Sequence, residues 1–155
     1  MRRQASLYLT GFPEIESLRR AFNPVQARLI PAHVTLCRED EVDDWEAVLK
    51  RVAAMGPIAV TLHFGRPVRD ENLVLLPVVG STDSFDRLRF ELLATAGSAP
   101  RKHSPHITLI HPRNGVCSDA IFKDITTRTA PFTATFREIS LIEQRDGGVW
   151  KPFCC

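Results

Sequence analysis

Between positions 31 and 36 the chain reads PAHVTL, and between 104 and 109 it reads SPHITL. Each copy is a histidine followed by any apolar residue, then threonine and leucine, and the two histidines stand 73 residues apart (106 − 33), close to half of a 155-residue chain. With five histidines, 11 threonines and 15 leucines to place, two such copies arise by chance roughly 5 times in 10,000. A repeat at this spacing demands a fold that presents the same short segment twice.

The elements around the motifs repeat in the same order. Residues 5–10 alternate as a strand, and Pro13 opens a helix where a missing amide does no harm, with Ile15, Leu18 and Phe22 as its apolar stripe. A loop with Asn23 and Pro24 leads to HVTLC (33–37), a short strand rich in β-branched residues. A second helix follows, with a capping box of Asp43 and Glu46, a stripe of Trp45, Val48, Leu49 and Val52, and a stop at Gly56 and Pro57. IAVTLHFG (58–65) then alternates as a strand. The order restarts with NLVLLPVV (72–79), a strand apolar on both faces, and a helix beginning at Thr82 with Phe85, Leu88, Leu92, Leu93 and Ala96 inward. After a loop with Pro100 and Pro105 come the strand HITLI (106–110), a short helix over 118–125 and a long strand over 131–144. In that strand the apolar parity switches between Phe132/Ala134/Phe136 and Ile139/Leu141, which predicts a bulge, and a turn at 146–148 returns the chain into a last strand through Trp150.

Strand, helix, H-x-T-L strand, helix, strand is thus written twice, in halves of roughly 1–68 and 69–155. No long linker divides them, so residues 1–155 are expected to form a single bilobal α+β domain.

Composition narrows the functional classes. At 44% hydrophobic and 25% charged residues the chain is neither disordered nor fibrous, and no apolar run approaches a bilayer span. The opening MRRQASLYLTGFP is broken by Thr10, Gly11 and Pro13 before it forms a signal-peptide core, so a cytoplasmic protein without a membrane partner is expected. Cys37, Cys117, Cys154 and Cys155 show no C-x-x-C spacing, which predicts reduced thiols rather than disulfides or zinc. A net charge of +2 is too small for diffuse attraction to nucleic acid. Any nucleic-acid substrate must be recognised by a local site.

The motif itself suggests that site. On a strand, residues i and i+2 share a face, so His33 with Thr35, and His106 with Thr108, project together while Val34, Leu36, Ile107 and Leu109 project the other way. An approximate two-fold axis between the halves brings both polar faces to one cleft. Displacement at phosphorus needs a base for the attacking oxygen and an acid for the leaving oxygen, and two histidines supply one of each near neutral pH. Threonine hydroxyls donate to non-bridging oxygens, and a cationic imidazole adds charge stabilisation. This scheme needs neither metal nor cofactor, and the sequence leaves open which of His33 and His106 is base and which is acid.

Paired H-x-T-L motifs in repeated strand-helix-strand halves resemble the 2H phosphoesterase superfamily, in particular its bacterial 2′-5′ RNA ligase-like and cyclic phosphodiesterase branch. The resemblance covers nearly the whole chain. It implies two pseudo-symmetric antiparallel sheets with outer helices and a central cleft, and metal-independent hydrolysis of 2′,3′-cyclic nucleotides or RNA-terminal cyclic phosphates, with 2′-5′ RNA ligation in some members. It places the catalytic histidines on His33 and His106 and the phosphate-binding hydroxyls on Thr35 and Thr108. Some members carry an arginine shortly after the second motif; here the chain reads Ile110-His111-Pro112-Arg113, leaving His111 and Arg113 as candidates for that charge. The partner implied is a nucleotide or RNA end, bound by a monomer. The rival reading is a non-catalytic nucleotide- or RNA-binding module with the same cleft.

Other residues are weighed beside these. Tyr8 and Phe12 flank the first strand and its loop, where an aromatic ring can stack on a base or simply pack locally. His63 shares a face with Thr61, at the cleft border or exposed. Arg101, Lys102 and His103 form a basic loop before His106 that either guides an anion or is merely solvated, Arg38 contacts phosphate or a surface carboxylate, and Trp45 belongs to the core.

Overall fold

The first apolar run forms a strand buried on both faces from Gln4 to Leu7, and a computed structural model describing residues 1–97 and 100–153 shows how far it extends. Strand β1 is Arg2–Tyr8, beginning three residues before the alternation becomes visible in the sequence. Helix α1 (Pro13–Phe22) starts at the proline and buries Ile15 and Leu18 as expected. The loop read at Asn23 and Pro24 is instead a second short helix, α2 (Pro24–Leu29), because proline fits the first helical turn as well here as at position 13. Strand β2 is His33–Arg38, and a 3-10 turn at Glu39–Glu41 leads toward helix α3 (Trp45–Met55). The cap of α3 is Asp44, not Asp43: its Oδ1 accepts from the Ala47 amide at 3.0 Å, while Glu46 turns outward to Lys50 at 2.9 Å.

Strand β3 (Val60–Phe64) is followed by β4 (Val68–Asp70), which the sequence did not reveal. It forms a tight hairpin with β5 (Leu73–Val79), turning through Glu71 at φ 50°. Helix α4 (Asp83–Thr95) has Thr82 at its N-cap position, strand β6 is His106–Ile110, and helix α5 (Asp119–Arg128) is capped by Ser118. The long strand expected over 131–144 is two strands, β7 (Phe132–Phe136) and β8 (Ser140–Gln144). The parity switch between them marks a change of sheet position rather than a bulge: β7 pairs with β3, and β8 pairs with β1. The last strand, β9 (Lys151–Pro152), begins after Trp150 and pairs with β8.

The strands run in the order β7-β3-β5-β6-β2-β1-β8-β9, with β4 beside β5. This is an antiparallel α+β architecture in two lobes, one built on β6-β5-β3-β7 and the other on β2-β1-β8-β9. The lobes meet where β2 and β6 pair, at Val34↔Ile107. Each lobe draws strands from both sequence halves, since β3 crosses to sit beside β5 and β8 crosses to sit beside β1. The duplication extends to register. Tyr8↔His33, Leu7↔Val34 and Ser6↔Thr35 precede a shift to Ala5↔Cys37, and Pro77↔His106, Leu76↔Ile107 and Leu75↔Thr108 precede the same shift to Val74↔Ile110.

Val34, Leu36, Ile107 and Leu109 are buried in one continuous core with Phe85, Leu92 and Phe64. The greasy face of each H-x-T-L strand thereby fixes which way its polar face looks. Cys37 and Cys117 are buried free thiols, and Trp45 is buried with its ring edge-on to Phe153 at 5.9 Å. Cys154 and Cys155 lie outside the described residues. Among the described residues no helix is long and apolar enough to cross a membrane.

Candidate active site

Two strands that pair through a single residue couple diverge on either side of it, and the opening between β2 and β6 contributes to a cleft of about 510 Å3. His33, Thr35, His106 and Thr108 line it together, with His111 and Arg113 at the same cavity. The two imidazoles are held identically. His33 Nδ1 donates to the Pro31 carbonyl and His106 Nδ1 to the Ser104 carbonyl, each at 2.8 Å and each two residues upstream. A carbonyl only accepts, so the proton sits on Nδ1 and leaves Nε2 free to take or give one.

Divergence of β2 from β6 leaves backbone carbonyls without ladder partners, and buried carbonyls require them. Side chains supply these from across the seam. Arg19 on α1 donates through Nε to the Thr108 carbonyl (3.2 Å) and through a terminal nitrogen to the Ile30 carbonyl (2.9 Å). Arg89 on α4 donates to the Leu36 carbonyl (2.8 Å) and forms a buried pair with Glu41. His103 Nε2 donates to the Thr35 carbonyl (3.0 Å), and its ring stacks on Phe85 at 5.9 Å. The first helix of each half therefore reaches the motif strand of the other half.

The segment after β6 is tied down from α2. Asn23 Oδ1 accepts from the His111 amide (2.9 Å), its Nδ2 donates to Asn114, and Asn114 donates to Gln26 (2.8 Å). A side chain at Gly115 would meet Ile110 at 2.6 Å and Asn23 at 3.0 Å, so only glycine lets this turn close. Within the turn His111 Nδ1 accepts from the Arg113 amide (3.1 Å), which requires that nitrogen to be unprotonated.

Burial acts on three of the histidines. Burial lowers the His33 pKa to about 4; the Pro31 carbonyl opposes this, while Arg19 and His106 add to it. Burial also lowers His103, with Arg89 adding to the effect, and lowers His111, with Arg113 and Arg2 adding. Burial acts to raise Glu41, but hydrogen bonds from Arg89 and the Arg38 amide, with the Arg89 charge, hold its carboxyl at about 2.

Of the eight residues put forward as catalytic or substrate-binding, six line the cleft and Tyr8 and Phe12 do not. Tyr8 stands edge-on to His33 with ring centres 6.4 Å apart, but it packs half-buried with Ile30, Ile142 and Trp150. Phe12 lies against Phe132 at 4.6 Å and joins the core, because the loop after β1 folds over the β3-β7 edge rather than over the cleft. His63 is exposed on β3, bonded to Thr133 at 2.7 Å. Arg38 lines the cleft, Arg101 pairs with Asp40 at 2.7 Å, and His103 holds the seam rather than a solvated loop.

Sequence reasoning missed Arg19, Arg89 and Asn23. A signal was present for the arginines: IESLR (15–19) and FDRLR (85–89) repeat an apolar-x-x-leucine-arginine pattern that puts arginine on the buried stripe. Among the described residues no group of three or more His, Cys, Asp or Glu side chains is placed to hold a metal ion.

The family model of the 2′-5′ RNA ligase superfamily matches residues 9–149. Among solved structures, E. coli LigT complexed with 3′-AMP is similar at 16% identity and TM-score 0.59, covering 99% of this chain and 95% of that one. E. coli LigT complexed with ATP matches at 19% identity and TM-score 0.57, over 99% and 95%. TT0787 of Thermus thermophilus matches at 18% identity and TM-score 0.53, over 98% and 94%. No curated protein matches significantly. At these identities the solved structures establish a shared fold, and the family match over most of the chain establishes membership: this protein belongs to the 2′-5′ RNA ligase superfamily of 2H phosphoesterases.

Proposed function

We propose that this protein is a metal-independent phosphodiesterase that opens 2′,3′-cyclic phosphates on nucleotides or RNA ends, acting as a cytoplasmic monomer. The observation that carries the reading is the pair of identically oriented imidazoles, His33 and His106, on one cleft beside Thr35 and Thr108. Burial keeps His33 neutral at pH 7, so it enters as the proton acceptor and His106 as the donor. Water attacks phosphorus as its proton passes to His33 Nε2; the bond to the ribose oxygen breaks as His106 Nε2 protonates that oxygen. Thr35 and Thr108 donate to the non-bridging oxygens. His111, held neutral, leaves Arg113 as the fixed positive charge that the segment after β6 brings to the cleft. With a 5′-ribose hydroxyl in place of water the same ring opening joins a 2′-5′ linkage: its proton passes to His33 Nε2 as its oxygen bonds to phosphorus, and the bond to the 3′ oxygen breaks as His106 Nε2 protonates that oxygen.

The test is hydrolysis of a panel of 2′,3′-cyclic nucleotides and a 2′-5′-linked dinucleotide in excess EDTA by wild type, His33→Ala and His106→Ala. Turnover that survives EDTA and falls roughly 10²- to 10⁴-fold in each variant supports the scheme. Saturable binding of a nucleotide, equal in all three proteins and without product, sinks it in favour of a binding module.

A further inference from the structure

Where the cleft reaches His106, a second cavity of about 770 Å3 begins, and His106 lines both. Leu75 and Pro77 on β5 stand directly opposite Thr108 and His106 in the ladder, so an apolar strip runs from the phosphate-facing residues into this groove. Phe90 on α4 lies along it, 61% exposed. Arg87 and Lys102 line it as well, beside Asp86, whose carboxylate accepts the Thr82 hydroxyl at 2.6 Å.

In the other lobe the equivalent space belongs to the cleft itself, and its apolar wall, Ile30 and Trp150, is buried. Opposite His33 and Thr35 stand Tyr8 and Ser6, and Tyr8 packs with Ile30, Ile142 and Trp150. Five residues beyond Ile15, where α4 carries Phe90 five beyond Phe85, α1 carries Arg20. A ring left in water on only one side of a pseudo-symmetric site, flanked by cations and continuous with the cleft, has the chemistry of a base-stacking surface beside a phosphate contact.

We propose that the groove holds the nucleotide immediately 5′ of the RNA end, its base against Phe90 and Pro77 and its phosphodiester near Arg87 and Lys102. The inference rests on the phosphodiesterase reading, and the polarity follows from chemistry: a nucleotide closed as a 2′,3′-cyclic phosphate continues only through its 5′ oxygen. The protein therefore prefers oligonucleotide ends over free cyclic mononucleotides.

The experiment compares kcat/KM for a 2′,3′-cyclic mononucleotide and for a dinucleotide ending in the same cyclic phosphate, in wild type, Phe90→Ala and the double variant Arg87→Glu/Lys102→Glu. The expected result is a dinucleotide preference in wild type that falls on the order of 10-fold in Phe90→Ala, with the mononucleotide rate changed less than about twofold. The double variant loses the same preference and weakens the salt dependence that a phosphodiester contact produces. Equal losses for both substrates, or no loss for either, overturn the proposal. If wild type turns over neither substrate, the phosphodiesterase reading fails separately. Fluorescence anisotropy of a labelled dinucleotide 3′-phosphate then decides the groove: weaker binding to Phe90→Ala supports it, and unchanged binding rejects it.

Discussion

The two motif strands share a register, an imidazole orientation and a buried arginine, yet their surroundings differ. His33 faces Tyr8 across β1 and lies beside a closed cluster with Trp150, whereas His106 faces Pro77 across β5 and opens onto a groove. Backbone symmetry places two like groups on one cleft; side-chain asymmetry gives them unlike neighbours. In the proposed reaction this symmetric frame would present an acid and a base, because the two proton transfers need opposite proton states.

The largest expected effect tests that division of labour. On the proposed assignment, wild-type kcat/KM rises through about pH 4 as His33 loses its proton. His33→Ala abolishes that acid limb together with roughly 10²- to 10⁴-fold of the rate, whereas His106→Ala loses a comparable rate and keeps the limb. An acid limb lost in His106→Ala and kept in His33→Ala reverses the assignment.

Next come the cross-seam arginines. Arg89→Met strands the buried Glu41 carboxylate and costs about 3–5 kcal/mol in urea unfolding. Arg19→Met costs about 1–3 kcal/mol, since its acidic partner Glu16 is partly solvated and the main loss is two carbonyl contacts. Equal costs argue that the seams are equivalent after all.

A smaller effect concerns stability against pH. Folded His33 resists protonation down to about pH 4, while the unfolded residue takes a proton near its ordinary value of 6.5. The stability it contributes is full above pH 6.5 and is lost as pH falls toward 4, on the order of 2 kcal/mol after allowing for partial solvation. His103 and His111 slope the same way, so the measurement is the difference in pH dependence between wild type and His33→Gln. Identical slopes remove burial as the cause of the asymmetry.

The smallest separates packing from binding at the loop after β1. Phe12→Ala lowers stability by about 1 kcal/mol through its lost contact with Phe132 and leaves KM unchanged. A raised KM at unchanged stability reopens base stacking at Phe12.

Much of this molecule is legible in one dimension. Alternation in HVTLC and HITLI determines that histidine and threonine share a face, because side-chain direction on a strand has a period of two residues whatever surrounds it. Pro13 and the stripe of Ile15, Leu18 and Phe22 determine α1 by similarly local rules. The break at 137–139 shows where such rules stop. A parity switch reports that the buried face changes, but only the positions of β1 and β3 decide whether the chain bulges or moves to another lobe. The same holds for Arg19 and Arg89, whose place on an apolar stripe is readable but whose partners are carbonyls 89 and 53 residues away.

The sequence by itself determined the repeated elements, the polar face of each motif and the pairing of two histidines with two threonines. Only the tertiary structure decided that strands exchange between lobes, that β2 and β6 touch at one residue pair and then part, and that one side of the site stays open beside Phe90. Periodicity is a property of neighbours along the chain, whereas desolvation, seam hydrogen bonds and a cleft depend on which distant surfaces are buried against each other.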